Sequence, residues 1–186
     1  VVSSIKGNIT PDQMADLYMK YGYRSANQGT YWSAFKWTAD VFDIGYSEYY
    51  KLDDAIAKLK DNHYIIASCN QGLFTYGGHF IVLVGVEGNY IKIYDSYLYS
   101  GKYDVASRRG KAIVKGNTTY VSIQNFRQYA NYKKFFCFKN DRTNVNENNN
   151  PSNNANVGIS KANYQVKIIA NGGLNIRAGA STSYPR

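Results

Sequence analysis

The spacing of apolar side chains divides the first 140 residues into a helical part and a β-rich part. Helices are predicted over residues 11–21, 31–42 and 52–60, where apolar residues recur every three or four positions. Val1–Ile5 is predicted to be the end of a further helix. Thr10, followed by proline and then Gln13, has the form of a capping box and marks a helix start.

Three of these helices carry apolar residues that indicate a buried side. In the helix after Thr10 the stripe is formed by Met14, Leu17, Tyr18 and Tyr21. In the aromatic helix that follows, the candidates for the buried side are Trp32, Phe35, Val41 and Phe42. Leu52, Ile56 and Leu59 share one face of the third helix, whose first turn is acidic, as the helix dipole favours.

After residue 63 the period changes to that of β-strands. A tight turn at Gly88-Asn89 joins two of them, and Ser122 is expected to cap a brief helix that runs to Tyr129. The predicted strands are residues 64–69, 79–86, 90–95, 111–114, 119–121 and 133–138. Helices followed by mostly antiparallel strands indicate an α+β domain over residues 1–140.

The composition changes again after Asn140. Residues 141–163 are rich in asparagine and poor in apolar side chains, which predicts a linker. Strand patterns return over residues 164–186, but two strands and a turn cannot form an independent core. We therefore expect this stretch to be the start of a second domain.

Charge and composition limit the function without defining it. The chain of 186 residues has 44% hydrophobic residues, a net charge of +9 and 19 tyrosines. The tyrosines are either a compositional bias or a surface for sugar or peptide. Residues 101–141 hold nine Lys and Arg against two acidic residues, so this region is either a solvated basic face or a site for polyanions.

Cysteine and histidine usage excludes several kinds of site. Cys69 and Cys137 both lie in apolar runs, where a reduced, buried thiol is usual. The histidines are His63 and His79, and no metal-ligand spacing or phosphate-binding glycine loop is present, so we predict no metal and no cofactor. No stretch reaches the ~20 apolar residues that span a bilayer, so membrane insertion is not expected.

The candidate chemistry lies in two consecutive strands. His79 opens one and Asp95 closes the next, so an antiparallel hairpin places both at the same end of a sheet. A carboxylate there can accept a proton from one imidazole nitrogen and leave the other to act as a base. A bulge or a curved sheet is needed to bring the two together. The alternative is a histidine that caps a core strand.

These residues resemble a known family. Residues 77–85 and 91–96 resemble the histidine and aspartate strands of papain-like cysteine peptidases, and in particular the bacteriocin-leader-processing (double-glycine) peptidases and their wall-associated relatives. Residues 8–15 resemble the segment that follows the cysteine-bearing helix in that family. The resemblance covers about residues 1–140. It implies a papain-like fold in which helices pack on an antiparallel sheet.

The resemblance also implies roles for individual residues. His79 would be the general base and Asp95 the orienting acid, while Gly77 and Gly78 would leave room for the substrate backbone or simply allow a turn. The family's nucleophilic cysteine and oxyanion glutamine have no counterpart, so the chain is expected to begin just after the nucleophile and to be inactive alone. Cys69 is a weak candidate for an internal nucleophile, because it does not begin a helix.

The end of the chain resembles a second family. Residues 173–184, Gly-Leu-Asn-Ile-Arg-Ala-Gly-Ala-Ser-Thr-Ser-Tyr, resemble the first third of a bacterial SH3-like domain. Such domains bind cell-wall peptides. A generic β-hairpin is the alternative.

Together these resemblances predict a bacterial or phage cysteine peptidase, secreted or associated with the cell wall, that hydrolyses peptide or peptidoglycan amide bonds. Anionic wall polymers are expected partners of the basic region, and nucleic acid is not. A papain-like module that has lost its nucleophile and only binds wall peptide or glycan is the second hypothesis. A leader peptidase fused to an exporter is a weaker third.

Overall fold

The computed structural model describes residues 1–7 and 9–141, so the predicted linker and SH3-like segment lie outside the described residues apart from Asp141. This part of the chain forms five helices and nine strands, in the following order: α1 Val2–Ile5, α2 Pro11–Lys20, β1 Arg24–Ser25, β2 Gly29–Thr30, α3 Ser33–Val41, β3 Tyr46–Tyr49, α4 Leu52–Lys60, β4 His63–Cys69, β5 His79–Glu87, β6 Tyr90–Tyr94, β7 Ile113–Lys115, β8 Thr118–Ser122, α5 Ile123–Tyr129 and β9 Tyr132–Lys139.

Seven of the strands form one antiparallel sheet in the order β3-β9-β4-β5-β6-β8-β7. The short strands β1 and β2 pair with each other. The expected α+β architecture with a large antiparallel sheet is therefore observed, and it is compatible with a papain-like fold. Strands β4, β5 and β6, which the sequence places consecutively, also lie side by side in the sheet.

The centre of the sheet, at β4 and β9, is covered on both faces, which explains the apolar runs of these two strands. Alternate residues of β4 and β9 join two different apolar clusters. Phe135 and Cys137 pack with the cluster that contains α4 and Phe126 of α5. Phe136 and Phe138 pack on the opposite face, with α1 and α3. All four side chains are buried because neither face of β9 is left to solvent.

The helix signals agree with the structure where local chemistry decides the boundary. Thr10 and Gln13 exchange the reciprocal hydrogen bonds of a capping box at the start of α2. The hydroxyl of Ser122 accepts from the backbone N–H of Asn125 at the start of α5. Helix α4 has the predicted bounds.

The buried sides predicted for α2 and α3 were partly wrong. Tyr18 is the buried residue of the α2 stripe, and Tyr21 is 54% exposed. In α3, Phe35 is buried, but Trp32 and Val41 are exposed. Tyr18 is buried because it packs toward α3, where its hydroxyl bonds to the Thr38 hydroxyl.

Candidate functional site

The structure brings His79 and Asp95 into direct contact. His79 is the first residue of β5, and Asp95 immediately follows the last residue of β6. The imidazole Nε2 lies 2.8 Å from Asp95 Oδ1. The Asp95 side chain has no exposed surface, and that of His79 is 15% exposed. The carboxylate is therefore sealed in the protein, while the imidazole remains accessible.

A β-bulge explains why these two side chains share a face. Near the turn, Glu87 pairs with Tyr90 and Gly85 with Lys92, but the register then shifts so that Leu83 pairs with Ile93. Val84 is the extra residue. Side chains alternate between faces, so without this insertion Asp95 would point to the face opposite that of His79. This one inserted residue places His79 and Asp95 on the same face of the sheet, and it is the kind of bulge that was expected from the sequence.

Asp95 is held by four hydrogen bonds. Its Oδ1 accepts from His79 and from the backbone N–H of Tyr97 at 3.0 Å. Its Oδ2 accepts from Lys102 Nζ and from the Tyr103 hydroxyl, the latter at 3.5 Å. Burial raises the pKa of Asp95, but the bonds from His79 and Lys102 outweigh burial and lower that pKa to about 2. Asp95 is thus a carboxylate at neutral pH.

The ionised carboxylate determines the tautomer of the imidazole. A carboxylate only accepts hydrogen bonds, so the proton of the bond at 2.8 Å must lie on His79 Nε2. The other nitrogen, Nδ1, has no hydrogen-bond partner among the described residues. An accessible Nδ1 with a fixed ring is the arrangement that a general base requires.

Aromatic and glycine residues surround the accessible side of the pair. Tyr97 meets the imidazole edge-on, with ring centroids 6.5 Å apart, and packs against Tyr99. Both rings are exposed. Gly77 and Gly78 immediately precede His79, and a Cβ atom added to either glycine would meet no atom within 4 Å. Space is therefore available there for a substrate backbone.

Cys69 lies next to this pair, but its side chain is buried. It is the direct cross-strand partner of His79 in the register of β4 and β5. Its exposed fraction is 0%. Burial, with a smaller contribution from the Asp95 charge, raises the pKa of the Cys69 thiol to about 12. A buried, protonated thiol on a strand lacks the exposure and the thiolate character of a nucleophile.

Cys137 is also unsuited to catalysis. It is a free, fully buried thiol in the core, and burial raises its pKa to about 12. Within residues 1–7 and 9–141, no three His, Cys, Asp or Glu side chains come close enough to share a metal ion. No helix in this part of the chain is long and apolar enough to cross a bilayer.

The basic region contains two site residues that sequence reasoning missed. Lys102 and Arg108 have exposed fractions of 1% and 2%, although the charge pattern indicated a solvated face or a polyanion site. Lys102 bonds Asp95, and Arg108 stacks on the exposed ring of Tyr76 at 4.2 Å. The sequence contained only a weak indication of this role, namely that Lys102 lies in the tyrosine-rich connection that follows Asp95.

One of the comparisons with known proteins identifies the family of this chain. No curated protein and no solved structure shows significant similarity to the chain. The profile of the Peptidase_C39 like family matches residues 2–134, which include both strands of the His79–Asp95 pair. Because this match covers well over half of the sequence, the chain belongs to the Peptidase_C39 like family, a family of peptidases.

Proposed function

We propose that this chain is the His-Asp part of a cysteine peptidase that hydrolyses peptide or peptidoglycan amide bonds at the bacterial cell wall. The observation that carries the proposal is the bond of 2.8 Å between His79 Nε2 and Asp95, which leaves Nδ1 of an accessible imidazole without a partner. Membership of a peptidase family supports hydrolysis of amides.

The nucleophile in this proposal is a thiol upstream of Val1. Both internal cysteines are buried and have raised pKa values, which supports a nucleophile from elsewhere. Helix α1 would then be the end of the helix whose first residue carries that cysteine. A helix N-terminus lowers the pKa of a thiol and stabilises a thiolate beside an imidazolium.

His79 would transfer protons in both halves of the reaction. The thiolate attacks the amide carbonyl carbon and forms a C–S bond. As the C–N bond breaks, the imidazolium of His79 donates its Nδ1 proton to the leaving amine. Water then attacks the thioester carbonyl carbon and His79 accepts one proton of that water at Nδ1. The C–S bond breaks, which releases the carboxylic acid product and regenerates the thiolate beside the imidazolium. Asp95 would keep Nε2 protonated and the ring fixed throughout.

The wall substrate is supported by the sequence and by the site. The exposed rings of Tyr76, Tyr97 and Tyr99 offer stacking surfaces near His79 for peptide or sugar. The resemblance of residues 164–186 to an SH3-like wall-binding domain supports a secreted or wall-associated protein, from a bacterium or a phage.

The proposal is tested by comparing this chain with the same reading frame extended upstream of Val1. Hydrolysis of quenched fluorescent peptides and of purified peptidoglycan is measured for both, with product masses. We expect hydrolysis by the extended chain alone, and its loss in the extended H79A variant but not in H63Q. Equal activity of both chains, or full activity in H79A, would refute the proposal.

A second candidate function is a binding module without hydrolytic activity. The observation that favours it is that neither internal cysteine can serve as a nucleophile. The residue at the start of the upstream helix separates the two functions: cysteine favours the enzyme, while serine, glycine or alanine favours the module. The module would bind wall fragments without releasing any product.

A further inference from the structure

A buried lysine lies behind the carboxylate that orients His79. The side chain of Lys102 is 1% exposed, and its ammonium donates to Asp95 Oδ2 and, at 3.0 Å, to the backbone carbonyl of Tyr97. The ammonium also lies 5.6 Å from the ring centroid of Tyr97 and 5.9 Å from that of Tyr103. Every partner of this cation belongs to the Asp95 site.

Such burial is costly unless the charge serves the structure or the chemistry around it. An ammonium removed from water must be paired and hydrogen-bonded, and removing one partner leaves the other charge uncompensated. Here the two nitrogen-bearing side chains that donate to Asp95 use different oxygens, with His79 on Oδ1 and Lys102 on Oδ2. The lysine therefore acts on the same carboxylate as the imidazole.

We propose that Lys102 is a positioning residue for the base: it fixes the Asp95 carboxylate and neutralises it, so that His79 is not required as the permanent counter-ion. This inference rests on the proposed function. An imidazole that faced an uncompensated buried carboxylate would hold its proton tightly. With Lys102 in place, the cluster is neutral when the imidazole is neutral, and His79 can release a proton as well as accept one.

The rival explanation is a purely structural role, in which Lys102 only fastens the connection of residues 95–112 to the sheet. Both roles predict lower stability when Lys102 is replaced. They differ in the proton affinity of the His79–Asp95 pair, which only the proposed role changes. The experiment must therefore observe the histidine directly.

The test is an NMR pH titration of the two imidazoles in the folded chain and in K102M, a variant that keeps the length of the side chain but not its charge. The titratable or charged groups that face the pair are Lys102 and Tyr103, Tyr97 and, from β4, Cys69. Arg108 is the next charged group, and its Nη1 donates to the backbone carbonyl of Lys102 at 3.5 Å. The K102M substitution removes the Lys102 charge and leaves the other groups unchanged.

We expect the proton affinity of the His79–Asp95 pair to rise at least tenfold in K102M, which moves the midpoint of its signal up by about one pH unit or more. The signal of His63 should not move. K115M, which removes an exposed lysine of β7, is the matched control and should leave both midpoints in place. A folded K102M with a His79 midpoint within about 0.3 pH units of the unaltered chain overturns the proposal.

If K102M does not fold, two other measurements test the proposal. The double variant D95N/K102M removes both charges and should be more stable than K102M, because no buried charge is left unpaired. In the unaltered chain, the Lys102 ammonium should give a slowly exchanging ¹⁵N signal near neutral pH that couples to the Asp95 carboxyl carbon. Failure to observe either result overturns the proposal. Neither experiment depends on hydrolysis, so a failed peptidase assay would leave this inference to be decided separately.

Discussion

Replacing Asp95 with asparagine should remove one identifiable part of the acid sensitivity of this protein. The pKa of Asp95 is lowered from an ordinary value of 3.8 to about 2, because the bonds from His79 and Lys102 outweigh burial. The difference corresponds to about 2 kcal/mol of folding free energy. D95N keeps the shape of the side chain but does not titrate.

The direction of the pH effect on stability depends on whether the folded or the unfolded state binds the Asp95 proton more tightly. The folded pKa is the lower one, so the contribution is complete above about pH 5 and falls as the unfolded state takes up a proton first. It disappears as the pH falls through about 2. By pH 2.5, roughly two thirds of the contribution is lost. The stability advantage of the unaltered chain over D95N should therefore shrink by roughly 1.5 kcal/mol between pH 6 and pH 2.5.

The assay is urea unfolding, followed by circular dichroism, at several pH values across this range. D104N is the matched control, because Asp104 is an exposed carboxylate of the same connection. D104N should keep a constant stability difference from the unaltered chain within error. A D95N difference that stays constant from pH 6 to pH 2.5 would refute the assignment of Asp95 as the buried, multiply bonded carboxylate.

Three further predictions follow from the described residues. Ellman's reagent should label Cys69 and Cys137 at least ~100-fold more slowly in the folded chain than in urea, because both thiols are buried with raised pKa values; rapid labelling of one thiol in the folded chain would contradict their burial. T10A should cost about 1 kcal/mol in urea unfolding through loss of the capping box; no measurable change would contradict that bond. Y97A should change stability by less than about 1 kcal/mol, because the backbone of Tyr97 and not its ring holds Asp95. The same variant should weaken the binding of wall peptide. Unchanged binding in a titration would exclude the ring as a contact.

The parts of the fold that local chemistry determines could be predicted from the sequence. Helix α4 has an acidic first turn, a regular apolar stripe and basic residues at its end, and its bounds were predicted correctly. Strand β3, Tyr46–Tyr49, was missed because its short run is half polar, with Ser47 and Glu48. Its pairing with β9 at the sheet edge is a tertiary effect.

The sequence predicted the pair of residues at the candidate site, but not the bulge that aligns them or the buried lysine that bonds Asp95. Strand order in a hairpin indicated that His79 and Asp95 share one end of the sheet. The position of the bulge at Val84 could not be predicted, because an inserted residue leaves no mark in an apolar run. The burial of Lys102 could not be predicted either, because only the folded chain brings a carboxylate to it.

The most direct test of the account is the tautomer of the two histidines, read from long-range ¹H–¹⁵N correlations at neutral pH. His79 should carry its proton on Nε2, toward Asp95, with Nδ1 unprotonated. His63 provides the opposite case, because its Nδ1 lies 2.5 Å from the carbonyl oxygen of Asp61 and should carry the proton there. Opposite tautomers are the predicted result. A proton on Nδ1 of neutral His79 would mean that the nitrogen assigned to catalysis is the wrong one, and would contradict the account.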